Sequence, residues 1–446
     1  MLVLIALLAT LSGFLVGYST AVIAPALDFV TRAFSLTPLM QGVVVSAVLV
    51  GGFVGSLVAG GAIRRFGERP VLFATAILFI AGALGSWGAD SFATLLAARL
   101  CSGLGVGAAT MVTPLYVGET APARWRGALV SVIQLAITIG ILASYLVGAA
   151  WTPSGAWSAM LGVGALPGVL LLVAVAAVPE SPRWYLMHGR TDDAKRAHHR
   201  LTGGHGEPLP SGAEASDGDW RDLFRGGNRM VLVVASGLFA FANLSGIDAI
   251  LYYAPVIFAE VGIGGALGPI LATAGIGVVN VLSTVLAMVL IDRLGRRALL
   301  IGGLVPMAGS LLLLSIAMLS APGAAWTNML AVACLCLFVL AFGVSLGPLP
   351  YVLMSELFPV AVRGAGMGIA SATAWGVNVA VSLSFPVLIA LMGTPLVFGL
   401  YGAISLLALA FVTALVPETR GRSLELIEAN LARGLPVREL GRLDPR

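Results

Sequence analysis

The apolar runs constrain this chain more than any other feature. A helix rises 1.5 Å per residue, so about 20 consecutive apolar residues cross the hydrocarbon core of a bilayer. Twelve such runs follow one another, at roughly 2–27, 39–63, 70–88, 92–116, 127–150, 157–178, 229–258, 267–291, 298–319, 327–354, 364–392 and 395–416. In hydrocarbon the backbone polar groups must bond within the structure, which makes runs of this length helices. Only 10% of the residues are charged, against about 25% in a soluble domain. The expected fold class is an all-α membrane protein with 12 transmembrane helices.

Arginine and lysine orient it. Of the 25 such residues, Arg32 lies in the first outer loop and Arg99 inside a span. All the others fall in alternate loops or the tail: 64–69, 124–126, 183–229, 293–297, 363 and 420–446. Positive residues stay on the cytoplasmic side. The expectation is a multi-pass protein of the plasma membrane with both termini cytoplasmic. The net charge of +4 follows from this topology and implies no nucleic acid partner. Residues 1–27 read as the first span, being too long for a signal peptide and lacking a preceding basic residue. Cys101, Cys334 and Cys336 lie within spans, and the histidines sit in the central loop. No disulfide framework, metal site or cofactor is expected. There is no nucleophile–base pair and no phosphate loop, and 179–228 is too short for a catalytic domain, so the chain does not read as an enzyme.

Three short motifs recur in the same order. Arg65-Phe-Gly-Glu-Arg69 is echoed by Arg293-Leu-Gly-Arg-Arg297, and Glu119-Thr-Ala-Pro-Ala-Arg-Trp-Arg-Gly127 by Glu356-Leu-Phe-Pro-Val-Ala-Val-Arg-Gly364. Pro179-Glu-Ser-Pro-Arg183 is echoed by Pro417-Glu-Thr-Arg-Gly-Arg422. A duplicated six-helix unit produces this pattern, with the halves related by a pseudo-twofold axis along the membrane normal and a cavity between them. The expected domains are 1–178, a cytoplasmic linker with short helices at 179–228, a second half at 229–416 and a cytoplasmic tail at 417–446. Within the linker, 191–201 reads as a helix with acids first and bases last, 203–212 as breaker-rich, and 219–224 as a short amphipathic helix.

With Gln134-Leu in span five, Asn243-Leu-Ser-Gly-Ile in span seven and Pro348-Leu-Pro-Tyr-Val-Leu-Met-Ser-Glu356 in span ten, these paired motifs resemble the sugar porter family of the major facilitator superfamily over nearly the whole chain. The resemblance implies a transporter of a monosaccharide or polyol working by alternating access. Its partners would be that sugar and the lipid bilayer, with protons as a further candidate, and it would function as a monomer. A sugar needs amides or carboxylates for its hydroxyls and an aromatic for its ring face. The resemblance places these at Gln134, Ile137, Ile141, Asn243, Asp248, Asn280, Phe342, Gly347, Tyr351, Trp375 and Asn378, with an outer gate at Tyr252 and Tyr253. Each amide alone could equally serve helix packing. Several positions depart from the family. Two consecutive glutamines are Ala242 and Asn243, an asparagine is Asp248, another is Ala374, and a tryptophan is Tyr351. Shorter hydrogen-bonding arms imply a different sugar, epimer or polyol.

The charges Glu119, Arg126, Glu180, Asp292, Arg293, Arg296, Arg297, Glu356, Arg363 and Glu418 all fall at cytoplasmic helix ends. They could simply anchor helices to headgroups. The resemblance implies an ion-pair network that closes the inner side. Here too the first copy departs, with Arg64 in place of an acid and Glu68 in place of an arginine, so the first-half latch is expected to be rewired.

Proton-driven relatives carry an aspartate after Gly-Tyr in span one, near an arginine in span four. A carboxyl there takes up a proton when desolvated and releases it beside the arginine. This chain reads Gly17-Tyr18-Ser19 and keeps Arg99. Serine does not titrate. The expectation is uniport, with proton symport through Asp248 as the rival. The same fold also leaves room for a sugar sensor or an exporter of hydrophobic solutes.

Overall fold

The computed structural model describes residues 1–202, 220–265, 267–321, 325–359, 362–422 and 424–442. Among them, 12 stretches are helical, long and apolar enough to cross a membrane. In chain order they are Leu2–Phe34, Pro38–Phe66, Glu68–Trp87, Phe92–Thr120, Arg124–Ser154, Trp157–Ala177, Gly226–Glu260, Gly268–Ile291, Arg296–Ser320, Trp326–Leu357, Arg363–Met392 and Thr394–Leu415. Each expected run is one of these spans, with small differences at the ends. The first reaches Phe34 instead of stopping near 27, because the amphipathic helix Ile23–Phe34 continues it until Ser35 turns left-handed (φ 51°).

The chain divides into two compact units, residues 1–214 and 215–446. In the first unit, span two packs on span four, where Gly103 and Gly107 lie against the backbone of Val48 and Gly52. A Cβ at either glycine would collide with that backbone, so these small residues let the two helices approach this closely. Gly105 instead faces Leu78 and Phe79 of span three, with room for a Cβ. Span one lies as close to span five, its Gly17 resting on the Ile137 backbone. In the second unit, Ser345 of span ten stands opposite Gly303 of span nine, and Ser283 of span eight opposite Gly343 of span ten. Leu57, Val173, Ile316 and Leu407 are among the large apolar side chains left exposed along the spans, as lipid-facing surfaces require.

After span six, Ser181 caps the short helix Pro182–Met187, and Thr191–Thr202 is helical. Asp193 in its first turn pairs with Arg190 and Arg196. The expected breaker-rich stretch 203–212 lies outside the described residues, as does Asp219. The rest of that expected short helix is a 3₁₀ turn, Trp220–Phe224. Beyond span twelve the tail folds back: Asn430 in the helix Leu424–Ala432 donates to the carbonyls of Leu440 and Arg442 at 2.9 and 3.0 Å.

Candidate functional site

Span seven is broken in the middle. Its first helix ends at Leu244 and its second begins at Ile247. Gly246 between them has φ 84°, and a Cβ there would lie 2.5 Å from the Tyr401 ring. Both the left-handed backbone and the ring exclude a side chain. The break brings Asp248 into the first turn of the second helix, where the positive end of the helix favours a negative charge.

A hydrogen-bonded chain runs from this turn to span eleven. Asn378 Nδ2 donates to Asp248 Oδ2 at 2.8 Å, and Tyr252, one turn further on, bonds to the same carboxylate. Asn378 Oδ1 accepts the Ser382 hydroxyl at 3.2 Å, and the Ser382 carbonyl accepts the Tyr253 hydroxyl at 3.0 Å. Asp248 and Asn378 are only half-buried. The remaining carboxylate oxygen and second amide hydrogen suit neighbouring hydroxyls, one accepting and one donating. Tyr253 is buried and tilts against Phe385, ring centroids 4.9 Å apart.

Span ten breaks too, between Val344 and Leu349. The Phe342 carbonyl accepts the Ser345 and Gly347 N–H groups at 3.0 and 2.9 Å. Tyr351, just beyond, packs edge-on against Phe239 of span seven at 4.7 Å. It remains 57% exposed and close enough for the Asp248 charge to act on its hydroxyl. Asp248, Asn378, Tyr252, Tyr253 and Tyr351 are therefore brought together. Asn243 is buried, and its amide donates to the Phe239 carbonyl in its own helix at 2.8 Å. Asn280 is buried on span eight, where its backbone carbonyl accepts the hydroxyls of Ser283 and Thr284. Trp375 is half-buried one turn before Asn378. In the first unit Gln134 is exposed on span five, Ile137 half-buried and Ile141 buried.

At the expected coupling position Arg99 is buried, and its Nη1 donates to the Ser19 carbonyl at 2.7 Å. A backbone dipole thus meets the guanidinium where a carboxylate would otherwise stand. Tyr18 donates to the Met160 carbonyl at 2.6 Å.

The motif-bearing ends of the two units follow one plan. Glu180 accepts the N–H groups of Glu68 and Arg69, which open span three, at 3.0 and 3.1 Å. Glu418 accepts those of Arg296 and Arg297, which open span nine, at 3.0 and 3.1 Å. Each carboxylate caps a helix N-terminus and meets its positive end. Gly67 and Gly295, with φ 99° and 92°, leave room for it, since a Cβ at either would strike the carboxylate. The Arg69 guanidinium binds the carbonyls of Val175 and Ala176, and that of Arg297 the carbonyl of Thr413. Burial pushes the Glu180 carboxyl above the usual carboxylate range, against the pull of its backbone N–H partners.

The side-chain pairing beside these caps differs. In the second unit Arg296 pairs with Glu356 at 2.9 Å, while Thr419 donates to the other Glu356 oxygen at 2.5 Å. In the first, Ser181 donates to Glu119, Arg183 stays 3.8 Å from Glu119, and Glu68 stands where Arg296 does. Arg126 and Arg293 are exposed, Arg363 bonds the Phe358 carbonyl, and the Asp292 side chain lies outside what is described. Ser181 and Thr419 went unnoticed in the sequence, although a hydroxyl residue follows Pro-Glu in both copies. Ser382 and Phe239 carried no such signal.

Known proteins resemble this chain over nearly its whole length. The family model described as "Sugar (and other) transporter" matches residues 5–431. The chain is 38% identical to the glucose transporter GlcP of Staphylococcus epidermidis, covering 96% of this chain and 97% of that one. It is 36% identical to the galactose-proton symporter of Escherichia coli, over 98% and 96%. The partially occluded inward-open structure of the xylose transporter XylE from E. coli superposes with a TM-score of 0.80 at 30% identity, over 95% of this chain and 99% of that one.

Proposed function

Since this chain belongs to the sugar transporter family of the major facilitator superfamily, we propose that it carries a monosaccharide or polyol by alternating access, as a uniporter. It is a multi-pass membrane protein and a transporter, not an enzyme. The reading extends to a functional monomer of the plasma membrane with both termini cytoplasmic; the orientation is supported by the placement of arginines in alternate loops.

The observation that carries the substrate class is the Asp248–Asn378 pair. Two half-buried polar groups at a helix break, with Tyr252 and the open ring of Tyr351 beside them, supply donors, acceptors and an apolar face together. Sugars and polyols need that combination. In the first unit, Gln134 on span five is proposed as a substrate-binding residue, with Ile137 and Ile141 on its face. Uniport is supported by Ser19, whose carbonyl occupies Arg99 and leaves no titratable group at that position.

A specific observation favours a second reading. Asp248 is a carboxyl at membrane depth, and such residues mark ion and proton pathways. Proton symport would then run through Asp248 instead of span one. Uptake of labelled sugar into proteoliposomes under an imposed pH gradient separates the two. Uniport predicts filling to equilibrium and no further. Accumulation above equilibrium that Asp248→Asn abolishes, with exchange retained, would replace uniport by symport.

A further inference from the structure

The two motif-bearing faces share their helix caps but carry opposite charges at the matched positions Glu68 and Arg296, and this difference has a chemical consequence. Glu68 is 2% exposed. Its carboxyl faces that of Glu119, and its Oε2 is buried with no hydrogen-bond partner among the described residues. Two ionised carboxylates are acceptors only and cannot bond to each other. A hydrogen on one of the pair would give the buried oxygens a partner.

The surroundings do not supply a substitute charge. From span four, Glu119 and Tyr116 face Glu68, and the Tyr116 hydroxyl is already donated to the Pro179 carbonyl at 2.7 Å. From the segment after span six come Glu180 and Arg183. Arg183 is half exposed and 3.8 Å from Glu119. On the same helix, Arg69 is held by the carbonyls of Val175 and Ala176. Among the described residues, three carboxyls thus converge on a buried spot that the half-exposed Arg183 reaches only at 3.8 Å, whereas Arg296 pairs with Glu356 at 2.9 Å. No group of His, Cys, Asp or Glu among the described residues is arranged to hold a metal ion.

We infer that Glu68 and Glu119 form a proton-binding site, a single proton joining the two carboxyls and closing the first-half latch as Arg296 closes the second. Glu119 has the same second ligand as Glu356, a hydroxyl from the residue after Pro-Glu, so proton and guanidinium occupy equivalent places. An O–H···O⁻ bond of this kind is among the strong hydrogen bonds. Removing the proton leaves two buried like charges in contact, which push span three away from span four. Alkaline solution on this face opens the first latch and leaves the second shut. The site is separate from the Asp248 pair and needs no proton to cross the membrane.

Infrared spectra of the purified chain, titrated from neutral to alkaline pH, test this without any transport assay. The wild type should show a carboxylic acid carbonyl band that disappears on the alkaline side. Glu68→Gln and Glu68→Arg should both lower this band by one carboxyl relative to the wild type, leaving only what Glu180 and Asp248 contribute, the arginine forming an ion pair with Glu119. Spectra of both variants that keep the wild-type band at full strength would overturn the site, as would a wild-type signal that follows Na⁺ or Mg²⁺ at fixed pH. A transport arm rests on the proposed function. With both sides of the vesicle at the same pH, wild-type exchange should change several-fold on going alkaline, and Glu68→Arg should flatten that profile. Exchange that is equally pH-dependent in wild type and Glu68→Arg would overturn the latch role.

Discussion

The first- and second-half faces share helix caps, glycines and carbonyl-bound arginines, yet one is completed by a cation and the other by an acid. Glu180 and Glu418 do the same work, each satisfying the N–H groups that open a helix. Arg296 and Glu68 do opposite work at matched positions. Duplication therefore preserves the backbone-capping geometry, which admits few solutions, and leaves the side-chain pairing free to diverge. A cap must present an anion to several donors at once; a latch needs only some attractive pair.

The largest effects should come from the shared part. Glu418→Gln and Glu180→Gln each leave buried N–H groups poorly satisfied, at about 1–3 kcal/mol per lost donor partner. Thermal unfolding of the purified chain should show a large and similar loss for both. A large loss in one half alone would break the equivalence. Next comes Gly246→Ala, which forces φ 84° on a residue with a Cβ pointed at Tyr401. The left-handed backbone costs about 1–2 kcal/mol before the ring contact is counted, and sugar exchange should fall with stability.

The divergent part should respond less. Arg296→Gln removes a partly buried pair with Glu356, worth about 1–3 kcal/mol, between the exposed and fully buried cases. Glu68→Gln should cost less than this at neutral pH, since it keeps a donor toward Glu119. The smallest effect is a slope. The folded chain holds Glu180 above the ordinary carboxylate range, so it retains a proton that the unfolded chain has released. Stability from this source is greatest at acid pH and is lost as pH rises from the ordinary range through the folded value. Glu180→Gln should melt at a temperature that varies less over that window than the wild type does.

The spans were legible because a bilayer imposes one length and one composition on each of them. The helix break at Ser245–Gly246 also leaves a mark in the sequence, a glycine beside polar residues within an apolar run. The Asp248–Asn378 bond leaves none, because nothing local ties residues 130 positions apart. Asn243 shows the opposite difficulty. An asparagine inside a helix can turn its amide onto the carbonyl four residues back, and sequence alone does not tell that amide from one aimed at a ligand. The substitution of Glu68 for an arginine was visible in the repeat. That it meets Glu119 in a buried spot became visible only with the third element, the segment bearing Glu180 and Ser181.

The account rests on a sugar or polyol being held by the Asp248–Asn378 pair. The direct measurement is counterflow: vesicles loaded with one of a panel of hexoses, pentoses and polyols, challenged with the same labelled compound, for the wild type and Asn378→Ala. The expected result is saturable exchange of at least one panel member, reduced at least tenfold in the variant while its thermal stability stays near wild type, tenfold corresponding to about 1.4 kcal/mol. No exchange by the folded wild type for any panel member, or Asn378→Ala exchanging at the wild-type rate, would contradict it.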